Sequence, residues 1–362
     1  MATTRATWAY RDRFGDGFGR TYFRRFGPGV VSSVGLGTYL GAPTDAVDEA
    51  YERALIAGLE GGCNVIDTAI NYRCGRSERV VGRAVERADV DRDAVVVATK
   101  GGFLPFDGER PADPAAYVRE TFVENGPVDP ADLVAGYHCI APGVIETLLD
   151  RSLDALGLDA VDCYYVHNPE TQLRVRSREA VYDELEATFE RLERRVAAGD
   201  IGCYGVATWD AFRVPPEDDA HLSLPRVVEC ARAAAETVGR AETGFEAIQL
   251  PFNVHMADAF TVRAHEFEGE RRSALAVAHE LDIDVVTSAS LGQGDLAGGL
   301  PPAVDAELTG DTPAQRAINF ARSAPGVTCA LVGASDADHV AENVAAGTFD
   351  PLGARAFDAV FE

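Results

Sequence analysis

Residues 64–85 read NVIDTAINYRCGRSERVVGRAV: a short apolar run, a polar loop and the start of an amphipathic stretch. The run Asn64–Asp67 has the character of a buried strand, and Glu78–Ala88 that of a helix. Together they make one βα unit, and the same unit recurs along almost the whole chain. Strands are predicted at Val34–Thr38, Asn64–Asp67, Ala94–Thr99, Val161–Val166, Ile201–Val206, Ala247–Leu250, Asp284–Thr287 and Thr328–Val332. Helices are predicted at Asp45–Gly61, Glu78–Ala88, Val144–Leu156, Arg178–Ala198, Leu224–Ala241, Glu270–Leu281, Pro313–Ala324 and Ala337–Ala346. Strand ends fall about every 29 to 45 residues, apart from one interval of 66. Eight such units with no break in composition predict an α/β fold, a (β/α)8 TIM barrel formed as one domain over residues 1–362.

The long interval, residues 101–142, is rich in Pro, Gly and Asp and reads as a loop insertion after the third strand, at the barrel mouth. Residues 20–31, containing Gly27-Pro28-Gly29, predict an N-terminal β-hairpin closing the other end, preceded by an extension over residues 1–19. A doubly wound fold would place a GxGxxG turn after its first strand, and none stands there.

Composition narrows the function further. The 362 residues carry 58 Asp and Glu against 33 Lys and Arg, a net charge of −25. Such a surface repels nucleic acid and anionic membranes, and it matches the acidic coat of a halophilic protein, screened in molar salt. Weak folding in dilute buffer is the expectation. No apolar run reaches the roughly 18 to 20 residues of a membrane-spanning helix. Nor do residues 1–27 show the apolar core of a secretory signal, so a cytoplasmic location is expected. The seven cysteines lack CxxC or Cys/His spacing, so neither disulfides nor a metal site is expected. Of these, only Cys74 falls near a candidate site.

Of the 33 basic residues, 32 are Arg, and Lys100 is the single lysine. Arg is planar and permanently charged, whereas an ammonium is compact with a tunable pKa, so position 100 calls for something an amine alone supplies. In a barrel of this kind chemistry gathers where strands meet their following loops. Asp67 ends the second strand, with Tyr72 five residues on; Lys100 ends the third; His167 ends the fourth in VDCYYVHNPE. Singly, an Asp before a Thr is often only a cap, and a His after a strand is often only a packed residue. Carboxylate, phenol, amine and imidazole at consecutive strand ends make coincidence a poor account.

These residues and the stretch NVIDTAINYRCGRSERVVGRAV resemble the aldo-keto reductase family, in an acidic, haloarchaeal-like form. The resemblance implies that Asp67, Tyr72, Lys100 and His167 form a catalytic tetrad in an NAD(P)-dependent oxidoreductase. Such an enzyme reduces an aldehyde or ketone, or oxidises a sugar or alcohol hydroxyl, with Tyr72 as general acid/base. Lys100 would lower the phenol's pKa towards the working range. It also implies a cofactor, NADP(H) or NAD(H), contacted by Thr38, Ala207, Thr208, Gln249, Leu291, Gly292, Gly294, Ser335, His339, Glu342 and Asn343. The loop entering the last helix, VGASDADHVAEN, would offer a helix N-terminus to the adenosine phosphate.

Three positions depart from the family pattern. Ala207-Thr208 replaces a Ser-Asn pair, Ser288 replaces the aromatic that stacks on the nicotinamide, and His339 is flanked by Asp336 and Asp338. These carboxylates oppose a 2′-phosphate and leave NAD open beside NADP. The alternative reading is a nucleotide-binding regulatory protein on the same barrel with little turnover. The degraded nicotinamide contacts favour it and the complete tetrad opposes it.

Overall fold

The computed structural model describes residues 1–361. Eight parallel strands close into a barrel: β1 (Val34–Gly37), β2 (Val65–Asp67), β3 (Val96–Gly101), β4 (Val161–His167), β5 (Ile201–Ala207), β6 (Phe245–Pro251), β7 (Asp284–Ser288) and β8 (Val327–Gly333). They pair in chain order, and β8 returns to β1. The helices α1 (Asp45–Glu60), α2 (Arg76–Arg87), α3 (Pro142–Leu156), α4 (Arg178–Ala198), α5 (Leu224–Thr237), α6 (Ala274–Glu280), α7 (Pro313–Ser323) and α8 (Ala337–Ala345) follow the strands in turn.

The strands are buried on both faces, which is why they read as apolar runs rather than as alternating patterns. Outward side chains such as Ile66, Val97, Tyr164, Val166, Tyr204, Val206, Ile248 and Leu250 join the helices in one large core. Inward ones, including Ala98, Cys163, Tyr165, Cys203 and Ala247, fill the barrel. This period of two also decides which residues face the mouth. Asp67, Lys100, His167, Ala207 and Gln249 are all even steps from these inward residues on their own strands. Register keeps them level, with His167 beside Ala207 and Ala207 beside Gln249.

The predicted hairpin forms from Phe23–Phe26 and Gly29–Ser32. Its Phe26 packs against Val65, Val96, Val286 and Cys329 inside the barrel, so the N-terminal end is plugged. Three elements differ from expectation. The extension holds a helix, Thr4–Phe14, capped by the Thr3 hydroxyl, which accepts from the Ala6 N–H. The insertion is not all loop. Its residues Pro114–Val118 are helical and continue as a wider turn through Glu124, anchored by Val118 and Phe122 against Leu148 of α3.

The third difference is at Glu270, predicted as helix. Residues Glu270–Arg272 instead pair with His265–Phe267 in a small hairpin, because Glu268 and Gly269 both adopt positive φ. Helix α6 starts only at Ala274, capped by Ser273.

Gly82 lies in the motif that opened the sequence reading, and packing requires it. A Cβ there would stand 2.1 Å from the Leu156 backbone carbonyl at the end of α3. Gly82→Ala is expected to cost about 1–3 kcal/mol by overpacking, read as a lower urea midpoint.

Candidate active site

At the C-terminal mouth of the barrel lies a cavity of about 550 Å³. The strand ends bring three of the four proposed catalytic side chains, Asp67, Tyr72 and His167, into its wall. Lys100 stands fully buried behind them, with 0% exposure. Its ammonium donates to Asp67 Oδ1 at 2.5 Å, to the Thr68 carbonyl at 2.8 Å and to the Tyr72 hydroxyl at 3.4 Å. The second Asp67 oxygen accepts from Gln249 Nε2 at 2.7 Å. The carboxylate is thus held from two sides, and Gln249, expected only as a cofactor contact, also supports the tetrad.

Electrostatics fix the protonation states. Burial pulls the Lys100 amine down, but Asp67 and Tyr72 pull it up more strongly, so it stays charged. Burial pushes the Tyr72 phenol above its ordinary value; Lys100 opposes that shift but does not overcome it. The expected net lowering is therefore reversed, and Tyr72 keeps its proton at neutral pH. His167 is pushed far down, by burial first and then by Lys100 and His138, so it is a neutral imidazole. Its backbone carbonyl accepts from His138 Nε2 at 2.8 Å, and Gln172 holds the other ring nitrogen of His138 at 2.9 Å. His138, inside the insertion, therefore props the catalytic strand end. The Phe103 ring stands edge-on to His167, with centroids 4.9 Å apart.

Backbone strain concentrates at this mouth. Arg73 and Cys74, directly after Tyr72, have φ of 50° and 59°; Asn168, directly after His167, has 47°; Ala289, directly after Ser288, has 54°. The loop carrying Tyr72 is tied down by buried Arg73, which donates to the Ala42 carbonyl and pairs with Asp48 of α1. Arg76 reaches the same carboxylate.

Of the expected cofactor contacts, Thr38, Ala207, Thr208, Gln249, Leu291 and Gly294 line the cavity. Gly292 lies in the same loop but outside the wall. Ser335, His339, Glu342 and Asn343 also stand outside it, beyond the Gly333 rim, and Asn343 is buried. The N-terminus of α8 is already occupied: Asp336 Oδ1 accepts from the N–H groups of Asp338 and His339 at 2.9 and 3.2 Å. The expected phosphate cradle therefore presents a carboxylate. Sequence reasoning missed Asn71, Phe103, Asn168 and Ser290, all in the wall. Asn168, adjacent to His167 and in a left-handed conformation, was the most discoverable. Asn71 Oδ1, His167 Nδ1, Thr208 Oγ1 and Ser290 Oγ are buried without a partner, so the wall offers polar atoms that suit an amide-bearing ligand.

Comparison with known proteins agrees with this geometry. The sequence model described as the aldo/keto reductase family matches residues 33–299, and the chain belongs to that family. A 2,5-diketo-D-gluconic acid reductase B from a Corynebacterium strain is 30% identical over 135 residues, 37% of this chain and 34% of that protein. The match thus spans only about a third of that relative's length. A putative voltage-gated potassium channel subunit beta from Schizosaccharomyces pombe is 24% identical over 88% of this chain and 85% of its own. Among solved structures, an aldo/keto reductase from Klebsiella pneumoniae in complex with NADP and acetate superposes with a TM-score of 0.59. It has 22% identity and covers 94% of each chain.

Two carboxyls near the site give a pH signature. Burial raises Glu78, which accepts from Thr99 behind Lys100, and Glu170, which accepts from the Trp209 N–H, to about 7 each from 4.5. Folding therefore favours their protonated forms. Their contribution is full below about pH 4.5 and is lost as pH rises through 7. Glu78→Gln is expected to flatten the decline of unfolding free energy between pH 4.5 and 7, measured by denaturant titration across that window.

Proposed function

We propose that the protein is an NAD(P)-dependent oxidoreductase that interconverts a carbonyl compound and its alcohol, with Tyr72 as general acid/base. The observation that carries this reading is the Tyr72 hydroxyl, protonated, 3.4 Å from a charged ammonium and beside a neutral imidazole at one cavity wall. A bound nicotinamide would exchange hydride with the substrate carbon. In the reductive direction Tyr72 gives its proton to the carbonyl oxygen, which becomes the hydroxyl. The phenolate left behind gains the Lys100 charge, whose own counterion is Asp67. That stabilisation appears only as the proton leaves, and so it lowers the barrier rather than merely binding substrate. His167, uncharged, orients the carbonyl oxygen by hydrogen bonding. Reversing each transfer gives the oxidation.

The substrate would enter past Tyr39, Leu40 and Trp209, large side chains left 56%, 45% and 40% exposed around the opening. Such an apolar rim favours a substrate with a body larger than a small aldehyde. Tyr72→Phe is expected to lower kcat by about 10²–10⁴-fold with the fold and cofactor affinity retained. Lys100→Arg should lose most activity as well, because a planar guanidinium does not fit the acceptors around Nζ. Steady-state rates with a panel of aldehydes and ketones, alongside cofactor titration, check both. Near-normal turnover by the Tyr72→Phe variant sinks the assignment.

For the cofactor, Asp336 and Asp338 stand where a 2′-phosphate would approach, with exposed His339 as the nearby cation. NADH is therefore expected to serve at least as well as NADPH, unlike in the NADP-bound Klebsiella relative. Converting both carboxylates to Asn should improve kcat/KM for NADPH over NADH by about fivefold or more, from removal of roughly 1 kcal/mol of repulsion. No change in that ratio would contradict the placement.

A further inference from the structure

On the opposite end of the barrel, the N-terminal hairpin meets the end of α7 and the start of β8. A cavity of about 390 Å³ opens there, lined by Arg20, Arg24 and Arg322 with Thr21 and Ser323, and no carboxylate contributes to its wall. In a chain with 58 acidic residues this is a local reversal of charge. Elsewhere, arginines held in the structure meet carboxylates: Arg73 pairs with Asp48, Arg92 with Asp162 and Arg240 with Glu193.

Here the acceptors are neutral. Arg24 donates to the carbonyls of Val327 and Arg322, both at 2.6 Å, and to that of Thr21 at 3.2 Å. Arg322, only 1% exposed, donates to the carbonyls of Ala346 and Phe349 and to Ser33 Oγ and Asn319 Oδ1. Carbonyls satisfy the geometry of a guanidinium but leave its charge uncompensated. Arg322 Nη2 and Thr21 Oγ1 are buried donors with no partner at all. Burial, together with the neighbouring Arg322 cation, pulls Arg24 down to about 10, and burial does the same to Arg322. Asp350, the one carboxylate that bears on Arg322, is exposed and does not line the cavity.

We infer that this seam is a binding site for a small inorganic anion, which would join the N-terminal hairpin to the last barrel repeat. Guanidinium donors suit either a halide or a phosphate-type oxyanion, and both would act by neutralising two buried cations. The site is remote from the mouth, so its occupancy would govern stability and leave turnover unchanged.

Thermal unfolding at constant ionic strength tests this, with sodium gluconate replaced stepwise by chloride or by inorganic phosphate. The midpoint should rise logarithmically with the small anion once its dissociation constant is passed. A response to phosphate alone assigns an oxyanion; a response to both assigns a site that also takes halide. Arg20→Gln, an exposed change that leaves the buried bonds intact, should weaken the apparent affinity severalfold. Arg24→Gln should abolish the response. Because Arg24→Gln could also loosen the hairpin, a bromide-soaked crystal gives an independent reading through an anomalous peak within this cavity. An identical midpoint in all three salts, an unaltered response in Arg20→Gln, or a cavity without bromide overturns the proposal.

Discussion

The buried pair between Lys100 and Asp67 sets the terms for everything at the barrel mouth. An ammonium with no exposure is costly unless each of its protons finds an acceptor. Lys100 has three N–H donors, and three acceptors surround it: Asp67 Oδ1, the Thr68 carbonyl and the Tyr72 hydroxyl. A guanidinium brings five donors in a plane, and this site has no acceptors for the remainder. That mismatch accounts for the single lysine among 33 basic residues. The pair in turn demands that β2, β3 and β6 end level with one another, since Gln249 closes the far side of the carboxylate. Catalytic competence and barrel register are therefore one constraint.

Much of this was legible in the sequence because it is written in local patterns. Each barrel strand announces itself as a short apolar run, and the period of two along it dictates which residue points inward at the tip. The tetrad could be read because its members sit at strand ends that are individually recognisable. The helix at Pro114–Val118 was hidden by its short length and its Pro- and Asp-rich setting. The strand at Glu270–Arg272 was hidden because two consecutive positive φ values at Glu268-Gly269 are not advertised by a Glu. The protonation of Tyr72 also depended on something no pattern encodes: how far burial outweighs the nearby ammonium.

The cofactor half was harder for a related reason. Ser335, His339, Glu342 and Asn343 were placed by likeness to a motif, yet contact depends on how the loop turns after β8. Asp336 settles that turn by capping α8 with its own side chain. The same residue type that stabilises a helix start thereby changes which nucleotide the helix start can receive. A pattern match registers the helix; the identity of the cap decides its electrostatic sign.

The positive-φ residues after Tyr72, His167 and Ser288 carry a consequence for the history of such a protein. At each of these points the chain turns sharply away from the barrel as soon as the mouth-facing side chain has been delivered. Whatever follows is mechanically uncoupled from the residue before it. The segment after Lys100, with Gly102 at φ 144°, shows how far this extends: about forty residues, helix included, hang from that joint, while the ammonium keeps its three partners. A barrel built this way can exchange or lengthen its specificity loops one at a time, because the hinge absorbs the change and the chemistry does not.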